Sequence, residues 1–146
     1  MTGEDGHAAA GGPLSRARLV RWAHLVAERL ERARAQLDAL NVFPVADGDT
    51  GTNLALTVSR ALGAADDADG VARALLVQAR GSSGVIASQL VRGWTEVLLA
   101  ADAAGRRPLD APGGVPAGAV AEALARGDAL AWQAVAEPVE GTVLSV

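Results

Sequence analysis

Residues 16–40, "RARLVRWAHLVAERLERARAQLDAL", constrain the fold of this chain more than any other stretch. Leu19, Trp22, Ala23, Val26, Leu30, Ala33 and Leu37 recur at helical spacing, with Arg and Glu on the opposite face. A stripe of that period cannot lie flat on a sheet and must be covered by other helices. Composition points the same way. Half of the 146 residues are apolar, yet the aromatics are only Phe43, Trp22, Trp94 and Trp132. Ala, Leu and Val must therefore build the core, which favours packed helices over a sandwich of β-branched and aromatic residues. The length suits one domain with a real core.

Further helical patterns follow. Residues 1–14, rich in Gly, Ala and acidic side chains, are expected to form a disordered tail, and 15–146 a single domain. Leu14-Ser15 marks the entry to the first helix. After a loop over 41–52, Leu54, Val58, Ala61 and Leu62 predict a second helix over about 53–62. "GAADDADG" is a turn and cap region, a third helix covers about 71–79, and a fourth about 85–103. Past a Gly/Pro-rich connection, Pro116 suits the first turn of a fifth helix that stops near Gly127. Asp128 then suits the N-cap of a sixth, running to 136, with a break at Pro138. The expected class is all-α, a bundle of about six helices, with neither strand nor internal repeat.

Several functions are excluded. A net charge of −4 gives no electrostatic footprint for nucleic acid. Without Cys there is no disulfide, thiolate chemistry or Cys-ligated zinc. No apolar run approaches the roughly 20 residues of a transmembrane span, and the acidic start lacks the features of a signal peptide. A cytoplasmic location is the expectation. The chain also has no lysine, all 13 basic residues being Arg. A P-loop and a protein-kinase site both need a lysine on the phosphates, so neither can form here. Phosphate chemistry would have to use metal ions, backbone amides, hydroxyls and Arg.

The candidate chemistry lies in two loops. In "NVFPVADGDTGTN", residues 41–53, Asp47 and Asp49 stand two apart on a glycine-loosened turn. Mg²⁺ takes oxygen ligands, commonly one or two carboxylates with water and substrate phosphates. The stretch fails as an EF-hand: counted from Asp47, position five is Gly51 and position twelve is Val58. Asn41 could add an amide oxygen. An Asx-turn, with Thr50 or Thr52 capping the next helix, explains the same residues and is compatible with a metal. Thr50, Gly51, Thr52 and Asn53 fall where a helix begins, so free amides and the positive dipole end suit a phosphate–Mg²⁺ complex. Gly48 and Gly51 remove side chains where a ligand would approach. "GSSG", Gly81, Ser82, Ser83 and Gly84, opens the fourth helix in the same manner. By itself it reads as an ordinary linker or cap. Together the two loops suggest helix N-termini around one anion, with Arg80 as a candidate cation. His7 lies in the tail, and His24 reads as a packing or surface residue.

Three motifs, "LNVFPVADGDTGTN", "ARGSSGVIASQL" and "EPVEGTVLSV", resemble the DhaL-type domain, the nucleotide-binding part of dihydroxyacetone kinases and of bacterial fatty acid kinase. The resemblance covers roughly residues 15–146. "NVFPV" and "PVEGT" are closer to the fatty acid kinase branch, although Ala46 replaces its usual Pro and Ser82 its usual Asn. The resemblance implies a barrel of antiparallel helices holding ATP and two Mg²⁺ ions at one end. Asp47, Asp49 and Asn41 would be metal ligands. Thr50, Gly51, Thr52, Asn53, Gly81, Ser82, Ser83, Gly84, Thr142 and Leu144 would lie at the nucleotide. Such a domain normally runs through about two further helices, so a C-terminally incomplete form, six helices of an expected eight, is anticipated. The implied activity is phosphorylation of a fatty acid held by a fatty-acid-binding partner protein. A dihydroxyacetone kinase subunit, working with a dihydroxyacetone-binding subunit, and a non-catalytic Mg·nucleotide module are the alternatives. A homodimer is an admissible assembly.

Overall fold

A computed structural model describes residues 15–42, 46–103, 105, 109 and 115–135. Among them are five helices and no strand: α1 (Arg16–Leu40), α2 (Thr50–Ala64), α3 (Ala68–Gln78), α4 (Gly81–Ala103) and α5 (Ala117–Gln133). The all-α expectation holds. Each helix packs on the next in the chain, α2 also reaches α4, and α1 reaches α3. None of the described helices is long and apolar enough to cross a membrane.

Local chemistry explains the starts. The Ser15 hydroxyl accepts the Arg18 amide at 3.1 Å and caps α1. Asp67 does the same for α3, accepting the Gly70 amide at 2.6 Å. At α5, Pro116 stands at the N-cap, just ahead of the first turn, its carbonyl accepting the amides of Ala119 and Val120. Helices α2, α3 and α4 each begin three or four residues before the sequence pattern suggests, because their first turns carry polar or small residues rather than the apolar stripe.

Among the described residues the expected fifth and sixth helices are one, and the count is five rather than six. No break occurs at Gly127, and α5 runs through it to Gln133. The glycine is a packing residue rather than a stop. A Cβ added at Gly93 on α4 would collide with the backbone of Gly127, and one added at Gly127 would lie 2.7 Å from the Leu90 carbonyl. Two facing glycines let the α4 and α5 backbones touch. The resulting contact offsets the roughly 1 kcal/mol that a mid-helix glycine costs relative to Ala. Asp128 accordingly lies exposed inside α5 instead of capping a new helix.

The core is built from small residues. Ala61, Val71 and Leu75 form one cluster, joined by the partly buried Val58, Leu62 and Val91. Ala68, Leu99 and Leu109 form a second, with Leu19, Val20 and Leu98. Helix α1 is the least covered: none of its residues is buried, and Trp22 is 48% exposed. The Trp22 ring meets that of Trp94 at 6.1 Å, tilted by 52°, and so ties α1 to α4. Between α1, α2, α3 and α4 lies an apolar cavity of about 310 Å³, lined by Leu19, Val26, Leu54, Val71, Leu90 and others. The candidate polar residues lie instead at helix ends.

Candidate functional site

Two of those ends meet. Helix α2 begins at Thr50, with Asp49 as its N-cap residue. The Asp49 side chain makes no capping hydrogen bond. That duty falls to Asp38 in the last turn of α1. One Asp38 carboxylate oxygen accepts the Thr52 amide at 2.9 Å, and the other accepts the Thr52 hydroxyl at 2.7 Å. The Thr52 hydroxyl bond, then its amide, holds the Asp38 carboxyl below its ordinary pKa, against partial desolvation, with the Gly51 amide and Arg34 adding to the effect. The cap comes from a carboxylate far back in the chain, so neither Thr50 nor Thr52 caps its own helix.

The loop ahead of α2 is held close. The Asn41 amide nitrogen Nδ2 donates to Asp47 Oδ1, joining the two ends of the loop. Gly48 has φ +62, left-handed backbone that disfavours a side chain. Asp47 is exposed and Asp49 half-buried. Gly51 is buried for a structural reason: a Cβ there would collide with the Arg34 carbonyl and lie 2.8 Å from the Leu37 Cβ of α1.

Helix α4 opens against α2. Gly81, at φ +60, lies on the Asn53 side chain and leaves no room for a Cβ. Gly84 is buried against the Thr57 hydroxyl. That hydroxyl is the joint between the helices: it donates to the Asn53 carbonyl at 2.7 Å and accepts the Arg80 amide at 3.0 Å. Ser82 is exposed and Ser83 half-buried in the first turn of α4.

Where the ends meet is a polar cleft of about 420 Å³, lined by Asp49, Asn53, Arg60, Gln78, Arg80 and Gly81, with Val77 and Ala79. The fold thus gathers Asp49, Asn53 and Gly81, from two separate motifs, around Arg80. Asp47 and Asn41 lie on the adjoining loop, and Thr50, Thr52, Ser82 and Ser83 are not among the lining residues. Thr142 and Leu144 fall outside the described residues. Two residues escaped the sequence reading. Arg60 stands seven positions after Asn53 on α2, a spacing that places both on one helix face and could have betrayed it. Asp38 left no local signal, because it acts on a helix that starts after a long loop.

The donor set suits a hard cation. Asp47 and Asp49 offer carboxylates and Asn41 an amide oxygen, while no group of three or more His, Cys, Asp or Glu gathers among the described residues. Mg²⁺ commonly takes only one or two carboxylates and completes its shell with water and phosphate oxygens. The residues present fit such an ion.

The described residues are helical, with a polar cleft at the starts of α2 and α4, and the chain lacks the lysine that a P-loop requires. Residues 44–146 match the model of the DAK2 domain, and the chain belongs to that kinase-related, DhaL-like family. It is similar to protein YloV of Bacillus subtilis, 37% identical over 129 residues that make up 82% of this chain and 21% of YloV. A Staphylococcus saprophyticus protein is 36% identical, with 82% of this chain and 21% of the relative covered. A Staphylococcus aureus protein is 34% identical, with 82% and 22% covered. The chain spans about a fifth of the length of these curated relatives.

Proposed function

We propose that the chain is the ATP-binding part of a kinase that phosphorylates a fatty acid presented by a separate binding protein. One observation carries the reading: the start of α2 and the junction where α3 ends and α4 begins line one polar cleft, which holds Asp49, Asn53, Arg80 and Gly81. Phosphoryl transfer demands positioning and charge neutralisation more than covalent chemistry from the protein. Asp47 and Asp49, with Asn41, would hold Mg²⁺, one or two ions, which supply positive charge to the phosphate oxygens. Arg80 and Arg60 would add guanidinium charge from the cleft wall. The free amides at the start of α4 would donate to phosphate, and the absence of a Cβ at Gly81 admits the nucleotide closely.

The acceptor follows from acid–base chemistry. A fatty acid carboxylate is already ionised at neutral pH and needs no general base. The carboxylate of the cleft, Asp49, is assigned to the cation, and His24 is not among the lining residues. The "NVFPV" lead supports the fatty acid branch over the dihydroxyacetone branch.

The test is calorimetric titration of a non-hydrolysable ATP analogue, with and without Mg²⁺. Wild type binds in a Mg²⁺-dependent manner, and Asp47→Asn/Asp49→Asn loses that dependence while keeping its helical circular dichroism. A folded double variant that retains full Mg²⁺-dependent affinity refutes the metal assignment. Phosphorylation of dihydroxyacetone, but not of a partner-bound fatty acid, moves the chain to the other branch, and binding without turnover in the partner's presence leaves a non-catalytic module.

A further inference from the structure

We infer that Asp38 is the positioning residue of the loop that bears Asp49: by capping α2 from the end of α1, it leaves the Asp49 carboxylate free to meet a cation. The inference rests on reading that loop as part of a Mg·nucleotide site, and adds to it a residue outside the loop and outside the motif.

Three contacts carry it. The Asp38 carbonyl accepts the Asn41 amide at 3.2 Å, where the loop leaves α1. Gly48, between the two candidate ligands, rests over that same carbonyl: a Cβ built there would be 3.6 Å from it. The Asp38 carboxylate takes both the amide and the hydroxyl of Thr52, where the loop enters α2. Of the three, only the two bonds to Thr52 belong to the Asp38 side chain, and they fix the point where the chain bearing Asp47 and Asp49 enters α2.

The chemical consequence concerns Asp49. An Asp at an N-cap ordinarily spends its carboxylate on the amides of the first turn. Here that position is filled from α1, and the Asp49 side chain makes no such bond. Without the Asp38 carboxylate the Thr52 amide loses its side-chain acceptor, and the residue that ordinarily supplies one is the N-cap residue, Asp49, which would then turn toward its own helix. Groups that hold metal ligands in place without touching the metal typically govern affinity by about 10- to 100-fold.

The experiment measures the Mg²⁺ concentration needed for half-maximal binding of a non-hydrolysable ATP analogue by the full chain, with circular dichroism to establish folding. Asp38→Ala raises that midpoint about tenfold or more. Asp38→Asn, which keeps an acceptor for the Thr52 amide and a polar partner for its hydroxyl, stays near wild type. Asp67→Ala, which removes a cap from α3, leaves the midpoint unchanged. Should Asp38→Ala not fold, Asp38→Glu carries the test, since it keeps the charge but displaces the carboxylate: a raised midpoint supports the role, an unchanged one overturns it. An unchanged Asp38→Ala, or an equal shift in Asp67→Ala, also overturns it. If Asp38→Asn fails as badly as Asp38→Ala, the effect is one of charge, and the positioning role is again overturned. Wild type without any Mg²⁺-dependent binding refutes the nucleotide reading and this inference with it. Wild-type binding with an indifferent Asp38 refutes only the inference.

Discussion

Thr57 shows how one side chain couples two motifs that sequence spacing could only set side by side. It is fully buried, and its hydroxyl both donates to Asn53 and accepts from the Arg80 amide. Val would match the shape but present no acceptor, leaving the Arg80 amide without its partner. We expect Thr57→Val to cost about 1–3 kcal/mol in denaturant unfolding, the range for a stranded buried polar group. Thr57→Ser, which keeps the hydroxyl, should recover much of it. A loss below about 0.5 kcal/mol would place Thr57 among the ordinary packing residues. In the sequence this threonine merely interrupts an apolar helix, so its role was illegible. Asp47 and Asp49 were legible because two carboxylates, two apart beside glycines, are unusual enough to need an explanation. Asp38 was not, because a lone acid at the end of an amphipathic helix is commonplace.

Between elements, the α4–α5 contact is the most exacting. Gly93 and Gly127 allow backbone-to-backbone approach, and the atoms a new Cβ at Gly93 would strike belong to the main chain of Arg126 and Gly127, which cannot rotate aside. Gly93→Ala should therefore destabilise by about 1–3 kcal/mol, the usual cost of overpacking, even though Ala is the better helix former. A neutral or stabilising result in thermal unfolding would show that the helices separate freely. The same pair is clamped outside by Glu96, which accepts Arg92 Nε and Arg126 Nε at 2.8 Å each. Partial burial alone would raise the Glu96 pKa, but the hydrogen bonds from Arg126 and Arg92 outweigh it and the net direction is down. A carboxylate lowered on folding contributes above its unfolded pKa and loses that contribution as pH falls through the folded value. Both guanidiniums are about 45% exposed, so solvent screening keeps each pair within about 1 kcal/mol. Glu96→Gln should then be slightly less stable than wild type at pH 7, and the gap should close in acid. A gap that widens on acidification would reverse the assignment.

For the whole molecule, period and composition determined a great deal. The stripe from Leu19 to Leu37, the scarcity of aromatics and the abundance of Ala favoured an all-α fold, since Ala is the strongest helix former and is depleted from strands. The missing lysine excluded the P-loop, and the Asp-Gly and Gly-Ser turns marked the two helix starts that flank the cleft. These are local properties, written in residue type and spacing. Tertiary structure alone decided that α5 passes through Gly127, that Asp38 caps α2, and that Arg60 joins Arg80 and Asn53 at one cleft. Each depends on which residue from a distant part of the chain fills the space beside it. A glycine reads as a helix stop until another backbone presses against it, and a carboxylate reads as solvated until a helix N-terminus arrives within 3 Å of it.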